Sequence, residues 1–158
     1  MKRKSAAFWI SALALAVLPA QAQAPQILTL HEPQKVVVPR QGDVLVPLKL
    51  SMRPGYHANS DKPSEDYLIP LRLVWDGKAP VEAAEILYPK AKLEKFEFTE
   101  KPISVVDGDF EIVTRLRRAP NAMPGPAILA GKLRYQACND KMCFPPKTLD
   151  VKVPLLIQ

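Results

Sequence analysis

Leu149-Asp150-Val151-Lys152-Val153-Pro154-Leu155-Leu156-Ile157 carries an apolar side chain at every odd position. A two-residue period puts alternate side chains on opposite faces, the mark of a strand buried on one side. The same period recurs upstream. In Val44-Leu45-Val46-Pro47-Leu48-Lys49-Leu50 the even positions are apolar and the odd ones mixed. Asp109-Phe110-Glu111-Ile112 alternates cleanly and Leu116 continues it. Leu129, Leu133 and Tyr135 alternate with Lys132, Arg134 and Gln136. Turn-forming runs separate these stretches: Arg53-Pro54-Gly55, Trp75-Asp76-Gly77, Asp107-Gly108-Asp109 and Met123-Pro124-Gly125-Pro126. Short strands with frequent turns predict an all-β fold, a sandwich of antiparallel sheets. Val81 to Leu87 has some helical character, but Pro80 and Pro89 bracket it. Pro47, Pro70 and Pro154 lie in strand-like runs and are expected at edges, ends or bulges.

Composition agrees. The chain has 158 residues, with 17 prolines, 6 glycines and 2 cysteines. That length suits one domain. Interior proline costs a helix about 3 kcal/mol, so this proline content disfavours a helix bundle. Two cysteines allow one disulfide and are too few for a four-cysteine zinc or iron–sulfur site.

Residues 1–22 read as a cleavable signal peptide. Lys2, Arg3 and Lys4 precede the uncharged run Ala6–Leu18, and Ala20-Gln21-Ala22 has the small-x-small form of a cleavage site. Residues 23–158 would then be one exported domain, in a compartment where disulfides persist. The leader accounts for three of the six net positive charges. The remaining Lys and Arg are interleaved with acids, apart from short runs such as Arg115-Leu116-Arg117-Arg118. That is not a nucleic-acid footprint, and no nucleic-acid partner is expected. There is no Gly-x-Ser-x-Gly elbow and no glycine-rich phosphate loop.

The chemistry candidate is the pair Cys138 and Cys143, in Tyr135-Gln136-Ala137-Cys138-Asn139-Asp140-Lys141-Met142-Cys143-Phe144-Pro145-Pro146. A bond between them closes a ring worth only ~2 kcal/mol by loop entropy, against about 4.7 for a 100-residue loop. Such a ring is poorly placed as a staple and better suited to being opened by an attacking thiolate. By strand parity Cys138 joins Lys132, Arg134 and Gln136, pointing away from the main core unless a bulge intervenes. Asn139, Asp140 and Lys141 make a polar turn. From spacing alone three readings stand: an inert structural disulfide, a redox pair, or soft Cu(I) ligation by Cys138, Met142 and Cys143, with His31 and His57 as further donors.

The stretch from Tyr135-Gln136-Ala137-Cys138 to Cys143-Phe144-Pro145-Pro146-Lys147-Thr148 resembles the active-site loop of the N-terminal domain of DsbD, the thiol:disulfide interchange protein. That loop reads Tyr-Gln-x-Cys, a few residues, then Cys-aromatic-Pro-Pro-x-Thr. Gly55-Tyr56-His57-Ala58-Asn59 and Tyr67-Leu68-Ile69-Pro70-Leu71 look like an earlier segment of the same family. Phe96-Glu97-Phe98-Thr99-Glu100-Lys101 sits where the family keeps a mobile cap over its disulfide. The resemblance spans about residues 27–157.

What it implies is an immunoglobulin-like sandwich with a cap and active-site loop region, relaying reducing equivalents between thioredoxin-fold partners in the periplasm. Those partners are a reductant and acceptors such as disulfide isomerases or cytochrome c maturation thioredoxins. Cys143 would form the mixed disulfides and Cys138 would resolve them. Phe98, then Phe96, are the candidates for the shielding aromatic. Tyr135, Gln136, Asp140, Lys141, Phe144 and Pro145 would make up the active-site loop. No cofactor and no metal is required, because the cysteines carry the electrons. Lys141 is expected to favour a thiolate and Asp140 to oppose it, while Glu94, Glu97 and Glu100 near the cap would keep the thiols protonated. His57 and Asn59 stand in the region where the family carries tyrosines. The chain ends at Gln158 without the family's membrane and thioredoxin domains, so partners and any membrane electron carrier are expected to act in trans; the protein itself is expected to be a monomer.

Overall fold

The computed structural model describes residues 26–158. The expected signal peptide, residues 1–22, lies outside them. Every regular element among the described residues is a strand, in chain order β1 (Leu28–Leu30), β2 (Val36–Val38), β3 (Asp43–Met52), β4 (His57–Asn59), β5 (Arg72–Trp75), β6 (Val81–Leu87), β7 (Lys92–Glu94), β8 (Ile103–Val106), β9 (Asp109–Arg118), β10 (Gly125–Tyr135), β11 (Ala137–Cys138) and β12 (Lys147–Ile157). They form three four-stranded sheets: β1-β3-β9-β6, β2-β12-β10-β5 and β11-β4-β8-β7.

The first two sheets make the sandwich. Val46, Leu48, Leu50 and Met52 of β3, with Ile112 and Leu116 of β9, supply one inner face. Leu129, Leu133 and Tyr135 of β10, with Val151, Val153, Leu155 and Ile157 of β12, supply the other. These are the stripes the alternation predicts. A polar bond crosses the core: the Trp75 indole Nε1 donates to Thr114 Oγ1 at 3.2 Å, joining β5 to β9. Gly131 of β10 is required beneath Trp75, because a Cβ there would lie 2.6 Å from the indole and 2.7 Å from the Val74 carbonyl oxygen.

The prolines fall where a missing N–H does least harm. β1 pairs with β3 only from Leu50 to Met52, so the edge at Pro47 is open. β2 pairs with β12 only from Leu155 to Ile157, one residue beyond Pro154. Pro70 lies between strands. Val81–Leu87, bracketed by its prolines, is an edge strand with an irregularity between Ala83 and Glu85. The sandwich departs from a wholly antiparallel one at β2, which runs parallel to β12. The link 31–35 contains no turn, so the chain passes from one sheet to the other without reversing.

The third sheet, which periodicity did not predict, covers part of the sandwich. Ala58, Val106 and Ala137 point from it into the main core. Its other face carries Ile103 and Val105, which form a separate small cluster with Leu68, Phe96 and Phe98.

Candidate functional site

Cys138 and Cys143 are joined, with Cα atoms 3.9 Å apart. The bond closes a hairpin at the tip of the β10–β12 ladder. The Asn139 N–H donates to the Met142 carbonyl at 2.9 Å and the Phe144 N–H to the Ala137 carbonyl at 2.8 Å, flanking the cysteine pair. Asn139 makes the turn: its Oδ1 accepts from the Lys141 and Met142 N–H groups at 3.0 and 2.9 Å. Short polar side chains that bond the backbone two or three residues on favour such turns. Asp140 and Lys141 are exposed at the tip.

Alternation runs unbroken through β10 into β11. Leu133, Tyr135 and Ala137 face the main core, so Arg134, Gln136 and Cys138 face away. The bulge lies on the returning strand. Tyr135 pairs with Lys147 and Cys138 with Cys143, leaving Gln136 opposite both Pro145 and Pro146. Prolines suit that position because they have no N–H to leave unpaired.

The parity reading of Cys138 therefore holds, but it does not make the sulfur solvent-facing. Cys138 is 0% exposed. It lies on the outer face of the third sheet, where His57 is its cross-strand partner. Cys143 is only partly covered. The two cysteines are thus unequally exposed.

Gln136 ties the hairpin down. Its Oε1 accepts from Asn59 Nδ2 at 3.1 Å and from the Ile69 N–H at 3.3 Å, and its Nε2 donates to the Phe144 carbonyl at 3.2 Å. Asn59 Nδ2 also donates to the Ile69 carbonyl at 3.1 Å. Phe144 packs against Tyr56, with ring centroids 5.9 Å apart. Pro145 is exposed. Tyr135, expected in the active-site loop, instead ends β10 inside the main core, and burial raises its phenol above the ordinary value.

The cap is a turn. The Thr99 N–H donates to the Phe96 carbonyl at 3.1 Å, and the Phe96 N–H donates to Thr99 Oγ1 at 3.1 Å. Phe96 lies flat on the His57 imidazole, with centroids 3.9 Å apart and planes 14° apart. Phe98 stacks on Phe96 at 5.6 Å. The ring against the partner of Cys138 is thus Phe96, the second choice from sequence. Phe98 lies farther out, in a groove of about 410 Å³ lined also by Tyr67, Thr99 and Ile103.

Sequence named His57 only as a spare metal donor and as part of the Gly55–Asn59 segment, with no role at the disulfide. Its Nε2 is buried without a partner, as is Asn59 Oδ1. Burial holds the imidazole below its ordinary 6.5, opposed by the carboxylates of Asp140 and Asp107. Parity would have shown that His57, two residues from Asn59, shares its face.

His31, the other histidine, sits elsewhere. Its Nε2 lies 2.7 Å from Ser51 Oγ, which donates to Asp109 Oδ1 at 2.6 Å. Here the serine stands between the other two and gives its proton to the acid, so this is no hydrolase triad. Among the described residues no group of three or more His, Cys, Asp or Glu is arranged to hold a metal ion.

Comparison with solved structures gives the fold. The N-terminal periplasmic domain of ScsB from Proteus mirabilis aligns with a TM-score of 0.51 at 14% identity, covering 81% of this chain and 44% of that one. The chain thus spans less than half the length of that structure. The major pilin subunit BcpA of Bacillus cereus aligns at 0.39 with 10% identity, covering 82% and 40% of the two chains. AggA, the major fimbrial subunit from Escherichia coli, aligns at 0.35 with 10% identity, covering 83% and 93%. No curated protein matches the sequence. A family model described as "Thiol:disulfide interchange protein DsbD, N-terminal" matches residues 24–155, the span that holds the cysteine hairpin and every strand but the last two residues of β12: the chain belongs to the family of DsbD N-terminal domains.

Proposed function

We propose that the protein is a periplasmic electron relay, passing reducing equivalents between thioredoxin-fold proteins by opening and closing the Cys138–Cys143 bond. The observation that carries this reading is the unequal exposure of the two cysteines within one hairpin. A partner thiolate attacks the partly exposed Cys143, and the buried Cys138 leaves. In the other direction Cys143 attacks the acceptor and Cys138 resolves the mixed disulfide. Phe96 is the inner shield and Phe98 the outer. Gln136 is a positioning residue that holds the carbonyl next to Cys143, and Asp140, Lys141 and Phe144 shape the surface a partner meets. Residues 1–22 serve as the export signal, which agrees with a compartment where the disulfide persists.

Trapping tests the relay. Cys138→Ser is expected to accumulate mixed disulfides with thioredoxin-fold proteins through Cys143, and Cys143→Ser to trap few. If neither variant traps any, and the bond equilibrates with glutathione only well below −300 mV, the disulfide is a structural one.

A further inference from the structure

On the relay reading above, we infer that His57 is the proton partner of the buried cysteine: its Nε2 accepts the Cys138 S–H hydrogen bond in the reduced protein and takes that proton when Cys138 resolves a mixed disulfide.

Three observations converge on this. Cys138 and His57 stand directly opposite each other on β11 and β4. Side chains so paired share one face, with Cβ atoms about 4.5–5.5 Å apart. Next, Nε2 is buried and unpartnered, and the Phe96 ring lies along one face of the imidazole and fixes its plane. Finally, the cysteines are oxidised. A disulfide sulfur has no hydrogen to donate, whereas reduction creates an S–H on the residue across from His57. Buried polar atoms are rarely left without partners, so an unpartnered nitrogen that can accept, beside a bond that gains donors on reduction, has a ready explanation.

The charged surroundings are compatible. Asp140 at the hairpin tip and Asp107 just past β8 act on the imidazole through space, the latter paired with Lys92 of β7 at 2.6 Å. Lys95 and Glu97 flank Phe96 on the exposed side of the cap. Burial outweighs both aspartates and keeps the ring neutral near neutral pH, the form that accepts a proton.

The steps balance. In reduction, a thioredoxin-fold thiolate attacks Cys143 Sγ, the Cys138–Cys143 bond breaks, and its electron pair leaves on Cys138. A proton drawn from solvent through His57 makes that sulfur a thiol. The partner's second thiolate then attacks its own sulfur in the mixed disulfide, releasing Cys143 as a thiolate and closing the partner's disulfide. In the reverse direction, Cys138 gives its proton to Nε2, its thiolate attacks Cys143 Sγ, and the partner sulfur departs with the electron pair.

His57→Phe keeps a ring under Phe96 and removes both nitrogens. Its disulfide equilibrium with a reference thiol is expected to shift about tenfold toward the oxidised form, ~30 mV in potential. Its exchange rate with a thioredoxin-fold dithiol is expected to lose the inflection that His57 places below pH 6.5. His57→Gln, which restores an acceptor, should recover part of the shift in potential. In the wild-type protein, the ¹⁵N resonance of Nε2 should move to the hydrogen-bonded range on reduction, a readout needing no variant. A wild-type protein that exchanges normally, with His57→Phe at the same potential and Nε2 unmoved by reduction, would overturn the role of His57 alone. A wild-type protein that does not exchange with a thioredoxin-fold dithiol would overturn the relay and this role together.

Discussion

Gln136 holds three segments with one amide: the end of β4, the backbone at Ile69 and the returning arm of the hairpin. Removing it strips the part-buried Ile69 N–H and Phe144 carbonyl of a partner and takes one of two acceptors from the Asn59 amide. Gln136→Ala is expected to cost about 1–3 kcal/mol, read from urea unfolding of the oxidised protein. The same change should loosen the hairpin and speed reduction by a small thiol. His57 gives a second residue-level expectation. Its folded value lies below 6.5, so the unfolded chain takes up a proton at a higher pH than the folded one does. Stability should therefore fall as pH drops through 6.5 and level off below the folded value. His57→Phe should flatten that part of the curve, as urea midpoints at pH 7 and pH 5 would reveal; equal slopes in both proteins would contradict the assignment. The cysteines were legible because their spacing and the Pro-Pro exit are local. Gln136 could be placed in the loop, but its partners Asn59 and Ile69 are 77 and 67 residues away in sequence, and no local pattern encodes that meeting.

The long strands announce themselves and the short ones do not. β3, β9, β10 and β12 each run 10 or 11 residues, long enough for a two-residue period to be read. β4, β7 and β11 are 3, 3 and 2 residues long, too short to show one. The third sheet, and with it the covered face that buries Cys138, was therefore invisible to periodicity. The cap was legible only by resemblance, since Phe96 and Phe98 sit in a turn with no pattern of their own. Phe96→Ala should remove stacking worth about 1 kcal/mol and raise the rate of reduction by dithiothreitol. An unchanged rate would show that the ring does not shield the sulfurs. In the sandwich, Gly131→Ala forces a methyl against the Val74 carbonyl and the Trp75 ring. It is expected to cost about 1–3 kcal/mol by overpacking, seen as a lower urea midpoint with an unchanged slope.

At the scale of the whole molecule, the disulfide is set apart from what holds the fold together. The main core draws chiefly on the two sandwich sheets, with Ala58, Val106 and Ala137 added from the third, and Cys138 faces away from it. Reduction removes only the small ring constraint, ~2 kcal/mol. The melting temperature of this chain should fall by about 5–10 °C on reduction, with one cooperative transition retained, as calorimetry with and without reductant would show. A collapse of the transition would mean that the bond supports the core after all. The separation depends on one parity: Ala137 points into the sandwich and Cys138 to the opposite face. A slip of a single residue in β11 would exchange them, sinking a sulfur into the hydrocarbon interior and stranding a methyl under the cap. The Gln136 amide, bonded on both sides of the hairpin, acts as a registration pin against that slip. One residue inserted between Tyr135 and Cys138 should therefore silence the chemistry more completely than many substitutions around it, because it inverts the strand that carries the sulfur.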